Sequence, residues 1–184
     1  MISDIKTTLE TSTSNIQRPG APAPKRKKKK SSFSAVGINY KPLAELLYQR
    51  KWQEADKLTQ RLMLKASGDE LSTWIDRKAM SGFPCLDLQT IDKLWVKYSK
   101  GQFGFSIQKR IYHSLGGKRS HDRQAWEALA DQVGWRVNGT WLFPEDLDFS
   151  NNAPLGHLPS LALSGTLDRG IYTLVSRMID CQSG

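Results

Sequence analysis

Leu88, Ile91, Leu94, Trp95 and Tyr98 recur at the i, i+3, i+6, i+7, i+10 spacing of one helical face. They lie in residues 83–108, FPCLDLQTIDKLWVKYSKGQFGFSIQ, around which the rest of the pattern is organised. Pro84 fixes an entry turn with Phe83 and Cys85, and Asp87 is placed to cap the free amides of the first helical turn. Gly101 is the expected stop. Phe103-Gly104-Phe105 then sets two aromatics around a residue with no side chain, and Ser106 is the expected N-cap of the next helix.

The flanking pattern is also helical. Leu43, Leu46 and Leu47 open a first helix behind Pro42, and residues 51–66 form a second with an apolar face of Ala55, Leu58, Leu62 and Ala66, Trp52 and Met63 beside it, ended by Ser67-Gly68. Residues 71–80 read as a third helix, carrying Trp74 and closed by Ser81-Gly82. Downstream, Ile107, Ile111 and Leu115 mark a helix that ends at Gly116-Gly117. Another passes through Trp126, Leu129, Ala130 and Val133, with Ser120 as its cap and Gly134 as its stop. Asn138-Gly139, flanked by Trp135, Val137 and Trp141, fits either a small hairpin or an irregular loop that lays tryptophans over the core. Residues 144–159 are loop, and residues 169–181 form a last helix with Ile171, Leu174, Val175, Met178 and Ile179 inward. Paired helices suggest a repeat, but no consistent period supports one. The expected fold is mostly α: one helical domain over residues 37–182 behind a basic tail at 1–36.

Charge changes this picture only at the amino terminus. The formal net charge of +9 suggests a nucleic-acid binder, but nine Lys/Arg against two Asp/Glu fall in residues 1–42, leaving 18 against 16 for the rest. The basicity belongs to an arm rich in Ser, Thr, Pro and Ala, which holds too little apolar surface to order itself. Its run from Lys25 to Lys30 fits a self-repelling linker, a peripheral contact with an anionic membrane, or a nucleic-acid patch. Cys85 and Cys181 make no CxxC and read as free thiols of a reducing compartment. With no apolar run of membrane-spanning length and no secretory h-region, the chain is expected to be soluble and intracellular.

The pattern offers little catalytic chemistry. His113, His121 and His157 are scattered without HxxxH or HExxH spacing, and no metal site is expected. There is no GxSxG, and Gly116-Gly117-Lys118 lacks the upstream glycine of a P-loop. Glu145, Asp146 and Asp148 stand in a solvated loop, and no enzyme is expected. What remains is a helical domain with an excess of aromatic and aliphatic residues near loops. Trp95, Phe103, Phe105 and Trp126 fall within periodic runs and belong to the core, whereas Phe143, Leu158, Leu161 and Leu163 stand outside any clear helix and are better candidates for an apolar site. By residue physics alone, the ligand stays open.

Residues 83–108, together with Val133-Gly134-Trp135-Arg136 running to Trp141 and Ala153-Pro154-Leu155-Gly156-His157-Leu158-Pro159, resemble the genomes-uncoupled-four domain family, tetrapyrrole-binding regulators of magnesium chelatase. The resemblance implies an α-helical cupped hand that binds protoporphyrin IX and Mg-protoporphyrin IX without a prosthetic group. It also implies a monomer that stimulates the chelatase by meeting its porphyrin-binding large subunit, in a cyanobacterium or a chloroplast stroma. Carried over by position, Trp74, Arg77 and Met80 line the palm, Trp135, Arg136, Trp141 and Phe143 its rim, and Leu158, Leu161 and Leu163 the finger. Arg169 meets the propionates. The chain departs from the family pattern at Arg77, where an aromatic is expected, and after the GHLP stretch, where Arg169 stands in place of two arginines. An adaptor for proteins or nucleic acids that has lost the pigment is the alternative.

Overall fold

The structure, a computed structural model, describes residues 33–72, 75–118, 122–160 and 170–181. The described residues form helices α1 (Lys41–Tyr48), α2 (Trp52–Ser67), α3 (Arg77–Ser81), α4 (Cys85–Tyr98), α5 (Phe105–Ser114), α6 (Arg123–Val133) and α7 (Gly170–Asp180). A hairpin of β1 (Arg136–Val137) and β2 (Thr140–Trp141) follows α6, then a single 3-10 turn at Pro144–Asp146. The fold is mostly α, as the periodicity predicts.

The central helix α4 packs on α1, α2, α5 and α7. Its Leu88, Ile91 and Trp95 are buried, and the Trp95 ring stacks on Trp52 at 6.0 Å and meets Phe103 edge-on at 6.3 Å. The Trp95 indole N–H donates to Thr59 Oγ1 at 3.0 Å, and the Thr59 hydroxyl donates to the Ala55 carbonyl at 2.8 Å. This pairing rotates α2 from the expected face. Trp52, Ala55, Thr59, Met63 and Ala66 point inward, while Leu58 and Leu62 are half-buried at its flank. A buried hydroxyl with both roles satisfied costs little, so a threonine takes a place that apolar counting gave to leucine.

Several caps differ from expectation. Asp87 sits inside the first turn of α4, wholly buried, and turns away from the helix amides. Its Oδ1 accepts from the Ser34 hydroxyl at 2.5 Å and the Tyr40 hydroxyl at 2.9 Å, and its Oδ2 from the Ala35 amide at 2.8 Å. Ser34 is itself buried, so the folded part includes it, ahead of the boundary expected at residue 37. Gly104, not Ser106, precedes α5, at φ +135°, where a Cβ would lie 2.7 Å from Val96 Cγ2. The Ser106 amide instead donates to Asp92 Oδ1 on α4 at 2.8 Å. The cap of α6 is Asp122, which accepts from the Ala125 amide at 3.0 Å, and Ser120 lies outside the described residues.

The third helix is shorter than its expected span of 71–80. Asp76 caps it and accepts from the Ala79 amide at 2.7 Å, so it starts only at Arg77. Leu71 is 99% exposed and has no face to bury. At residues 135–143 the hairpin is the form adopted. Asn138 and Gly139, at φ +51° and +79°, make its two-residue turn, and Arg136 pairs with Trp141.

The cysteines are corrected outright. Cys85 and Cys181 form a disulfide, with Cα atoms 5.2 Å apart. Their sequence separation of 96 says nothing of spatial distance, because α7 returns its end to the start of α4. The Gln89 side-chain amide donates to the Cys181 carbonyl at 2.8 Å, and the Arg177 guanidinium donates to the Phe83 carbonyl at 2.7 Å.

Candidate functional site

The site residues expected from sequence fall into two groups on either side of α5 and α7. On α3, Arg77 is exposed and Met80 is buried, and this short helix packs against α7. On the far side, α6 and the hairpin carry the aromatic group. Trp126 stacks on Trp141 at 5.4 Å with ring planes 27° apart, and lies 5.8 Å from the tilted ring of Trp135. Trp141 is half-buried, and Phe143 beyond it is 68% exposed. Trp74, Leu161, Leu163 and Arg169 lie outside the described residues.

Besides Met80, two of the expected residues occupy the core. Trp135 is wholly buried, and its indole N–H donates to the His157 carbonyl at 2.8 Å. Leu158 is also wholly buried, and its carbonyl accepts from the Gly104 amide at 2.9 Å. Trp135 supports the Trp126–Trp141 pair from behind. Arg136 is held beside the aromatics: its guanidinium donates to Asp131 Oδ2 at 3.0 Å and to the Gly139 carbonyl at 3.2 Å, and lies 3.7 Å from Glu127 Oε2. These partners fix its direction and offset part of its charge.

Sequence reasoning missed the groups that brace this loop region. Gln108, wholly buried on α5, donates from Nε2 to the Gly156 carbonyl at 3.0 Å and to the Pro159 carbonyl at 2.9 Å. The Gln102 side-chain amide donates to the Ala153 carbonyl at 2.7 Å, and the Gln102 backbone carbonyl accepts from the Gly156 amide at 2.8 Å. Asp56 on α2 accepts from the Ser160 amide at 2.7 Å and from its hydroxyl at 2.6 Å. Burial pushes the Asp56 carboxyl above its ordinary range, against the pull of both Ser160 donors. The available signal was the placing of Asp56 and Gln108, polar residues on helices beside apolar inward positions.

His157 is the fourth brace. The Val133 carbonyl can only accept, so Nδ1 carries the proton and donates to it at 2.6 Å. Nε2 accepts the Asp148 amide at 3.1 Å. Both nitrogens are committed in the neutral form. Burial therefore pulls the imidazole below its ordinary value, against the Val133 carbonyl and the Asp148 charge. Unfolding releases the ring to a pKa of about 6.5, so its stability contribution is complete above that value and is lost as pH falls through it toward the folded one. Asp56 and Asp92, both raised by burial, act in the opposite sense as pH falls. Comparison with His157→Gln isolates the histidine. The urea midpoint of the wild type is expected to drop from pH 7.5 to 5.5 by more than that of the variant. Equal drops would rule out the neutral, doubly bonded ring.

The GUN4-like family profile matches residues 33–172. A Ycf53-like protein of Synechocystis sp. (strain ATCC 27184 / PCC 6803 / Kazusa) is 34% identical over 131 residues, which cover 70% of this chain and 53% of that protein. The protein of Arabidopsis thaliana called "Tetrapyrrole-binding protein, chloroplastic" is 32% identical over 133 residues, covering 65% of this chain and 48% of that one. The structure of GUN4 from Chlamydomonas reinhardtii has a similar fold, with TM-score 0.64 at 25% identity, over 82% of this chain and 92% of that one. The chain spans about half the length of the curated relatives it matches.

Proposed function

This chain belongs to the GUN4-like family, and from that premise we propose that it binds protoporphyrin IX and its magnesium complex and stimulates magnesium chelatase as a non-catalytic carrier. The observation that best supports this reading is the aromatic rim: exposed Phe143 and half-buried Trp141, backed by Trp126 and Trp135 and flanked by a fixed Arg136. A flat macrocycle needs apolar area for its faces and cations for its carboxylates. Phe143 and Trp141 supply the first; Arg136, Arg77 and Arg169 supply the second. Trp74 extends the palm, Leu161 and Leu163 close over the ring, and the buried Met80, Trp135 and Leu158 hold the backing layer. The partner on this reading is the porphyrin-binding large subunit of the chelatase, met by a monomer in a cyanobacterial cytoplasm or a chloroplast stroma. Lys25 to Lys30 then adds a peripheral contact with an anionic membrane.

The test is quenching of tryptophan fluorescence by a water-soluble protoporphyrin analogue at moderate salt, followed by a magnesium-insertion assay with purified chelatase subunits. Saturable quenching is expected at micromolar pigment, weakened by Phe143→Ser. If the exposed ring is buried against the macrocycle, its loss removes about 2 kcal/mol of apolar contact. A folded protein that shows no quenching would displace this reading in favour of an adaptor. Quenching without faster insertion would leave a pigment binder that is not a chelatase regulator.

A further inference from the structure

A concave surface is lined by none of the described candidate site residues. The segment that enters α1, together with α1 and α4, encloses a groove of about 480 Å³ that opens to solvent. That volume falls within the range of small-molecule sites. Its apolar walls are Phe33, Ile38, Tyr40, Ala44 and Leu94, and its polar lining is confined to Asn39, Lys41 and Thr90. Asn39 Oδ1 already accepts from the Lys41 amide at 3.1 Å. Among the described residues of the lining, Lys41 is the only charged one and none is acidic.

The groove is built, not left over between helices. Its outer wall is the segment that Asp87 pins by the hydroxyls of Ser34 and Tyr40 and the amide of Ala35, all within 2.9 Å. With three donors around it, the Asp87 carboxylate does not present its charge to a ligand. Phe33 nevertheless stays 66% exposed at the rim and Val36 51% exposed beside it, apolar surface that water solvates poorly. Lys97 stands over the Tyr98 ring at 5.1 Å, on the helix that supplies Leu94. The basic run from Lys25 to Lys30 precedes Phe33 closely in the chain.

We propose that this groove binds an amphiphile with an apolar chain and a carboxylate head, of the long-chain fatty-acid class. The chain lies against Ile38, Ala44 and Leu94, and the carboxylate meets the Lys41 ammonium at the mouth. The charge of the lining selects the head: among its described residues, one cation and no acid favour an anion over a neutral alcohol or an amine. The apolar walls select the body. This inference does not depend on tetrapyrrole binding.

The experiment titrates the full chain with cis-parinaric acid, whose fluorescence rises in apolar sites, and displaces it with palmitate. Saturable single-site binding is expected, with hexadecanol displacing the probe less well than palmitate. Ala44→Trp fills the groove and is expected to abolish detectable binding. Lys41→Glu, on an exposed position, is expected to weaken it about fivefold, as loss of a surface ion pair would. Circular dichroism and quenching by the protoporphyrin analogue should be unchanged in both. Absence of saturable binding by the wild type overturns the proposal. So does equal affinity in a folded Ala44→Trp and in Lys41→Glu. A response to phosphatidylglycerol vesicles without uptake of the monomeric acid also overturns it, and assigns the surface to a membrane. If Ala44→Trp fails to fold, Lys41→Glu with the palmitate–hexadecanol comparison decides alone.

Discussion

Asp87→Ala is expected to lower stability by about 3–5 kcal/mol, because it leaves two hydroxyls and an amide without their buried acceptor at about 1–3 kcal/mol each. The carboxylate is wholly buried and accepts from three donors, two hydroxyls and one amide, which alanine would leave facing a void. The damage is not local to α4. Ser34, Ala35 and Tyr40 lie about 50 residues away in sequence, so this one side chain fastens the entry of the chain to the central helix. Burial and the Asp87 charge also hold the Tyr40 hydroxyl well above its ordinary pKa, so Tyr40 remains a donor at any working pH. Urea unfolding followed by circular dichroism measures the loss, and limited proteolysis locates it near residue 40. Asp87→Asn keeps one acceptor oxygen but turns an amide donor toward the others, and is expected to recover little of it. A loss under about 1 kcal/mol for alanine would mean that the three bonds do not carry the attachment.

Asp87 also marks where sequence reading stops. Its position before an apolar run fits an N-cap, and nothing local shows that a serine and a tyrosine far upstream will claim it. What proved legible was periodic or local. The spacing of Leu88, Ile91 and Trp95 located α4. The glycines at 68 and 134, both left-handed, ended α2 and α6 as expected. Asn138-Gly139 marked the hairpin turn. Elements that depend on long-range partners were misjudged. The inward face of α2 is set by the bond between Thr59 and Trp95, and the third helix lost most of its span because Leu71 finds no surface to bury.

The candidate site divides in the same way. Phe143, outside any periodic run, was expected at a binding surface and is exposed. Trp135 and Leu158 were expected there too, yet both are buried, because an aromatic or leucine in a loop reads alike whether it faces in or out. The braces Asp56, Gln108 and His157 were illegible for a further reason. Each bonds a backbone group far away in sequence: Ser160, Gly156 and Val133 respectively. Beyond the placing of Asp56 and Gln108 beside inward apolar positions, nothing in a single chain names their partners. They show themselves only when the fold is in hand.

Opening the Cys85–Cys181 disulfide is expected to have the other large effect. The bridge closes a loop with a sequence separation of 96, and in the chain-entropy model a loop of that size restricts the unfolded ensemble by about 4–5 kcal/mol. In the folded protein little should change. Arg177 on the Phe83 carbonyl and Gln89 on the Cys181 carbonyl already hold α7 to α4, and the buried Leu174, Val175 and Met178 anchor the helix face. The reduced protein is therefore expected to keep its helicity but to unfold at a lower urea midpoint. A Cys85→Ser, Cys181→Ser double variant should show that same midpoint with or without a dithiol reductant. Identical midpoints for oxidised and reduced wild type would mean that the two thiols are not bonded in solution. Pigment titration in both states separates two roles for the bridge. Because α7 is packed against α3, which carries Arg77 and Met80, an affinity that falls on reduction would show that the bridge also sets that wall of the palm. Unchanged affinity would confine it to the unfolded chain.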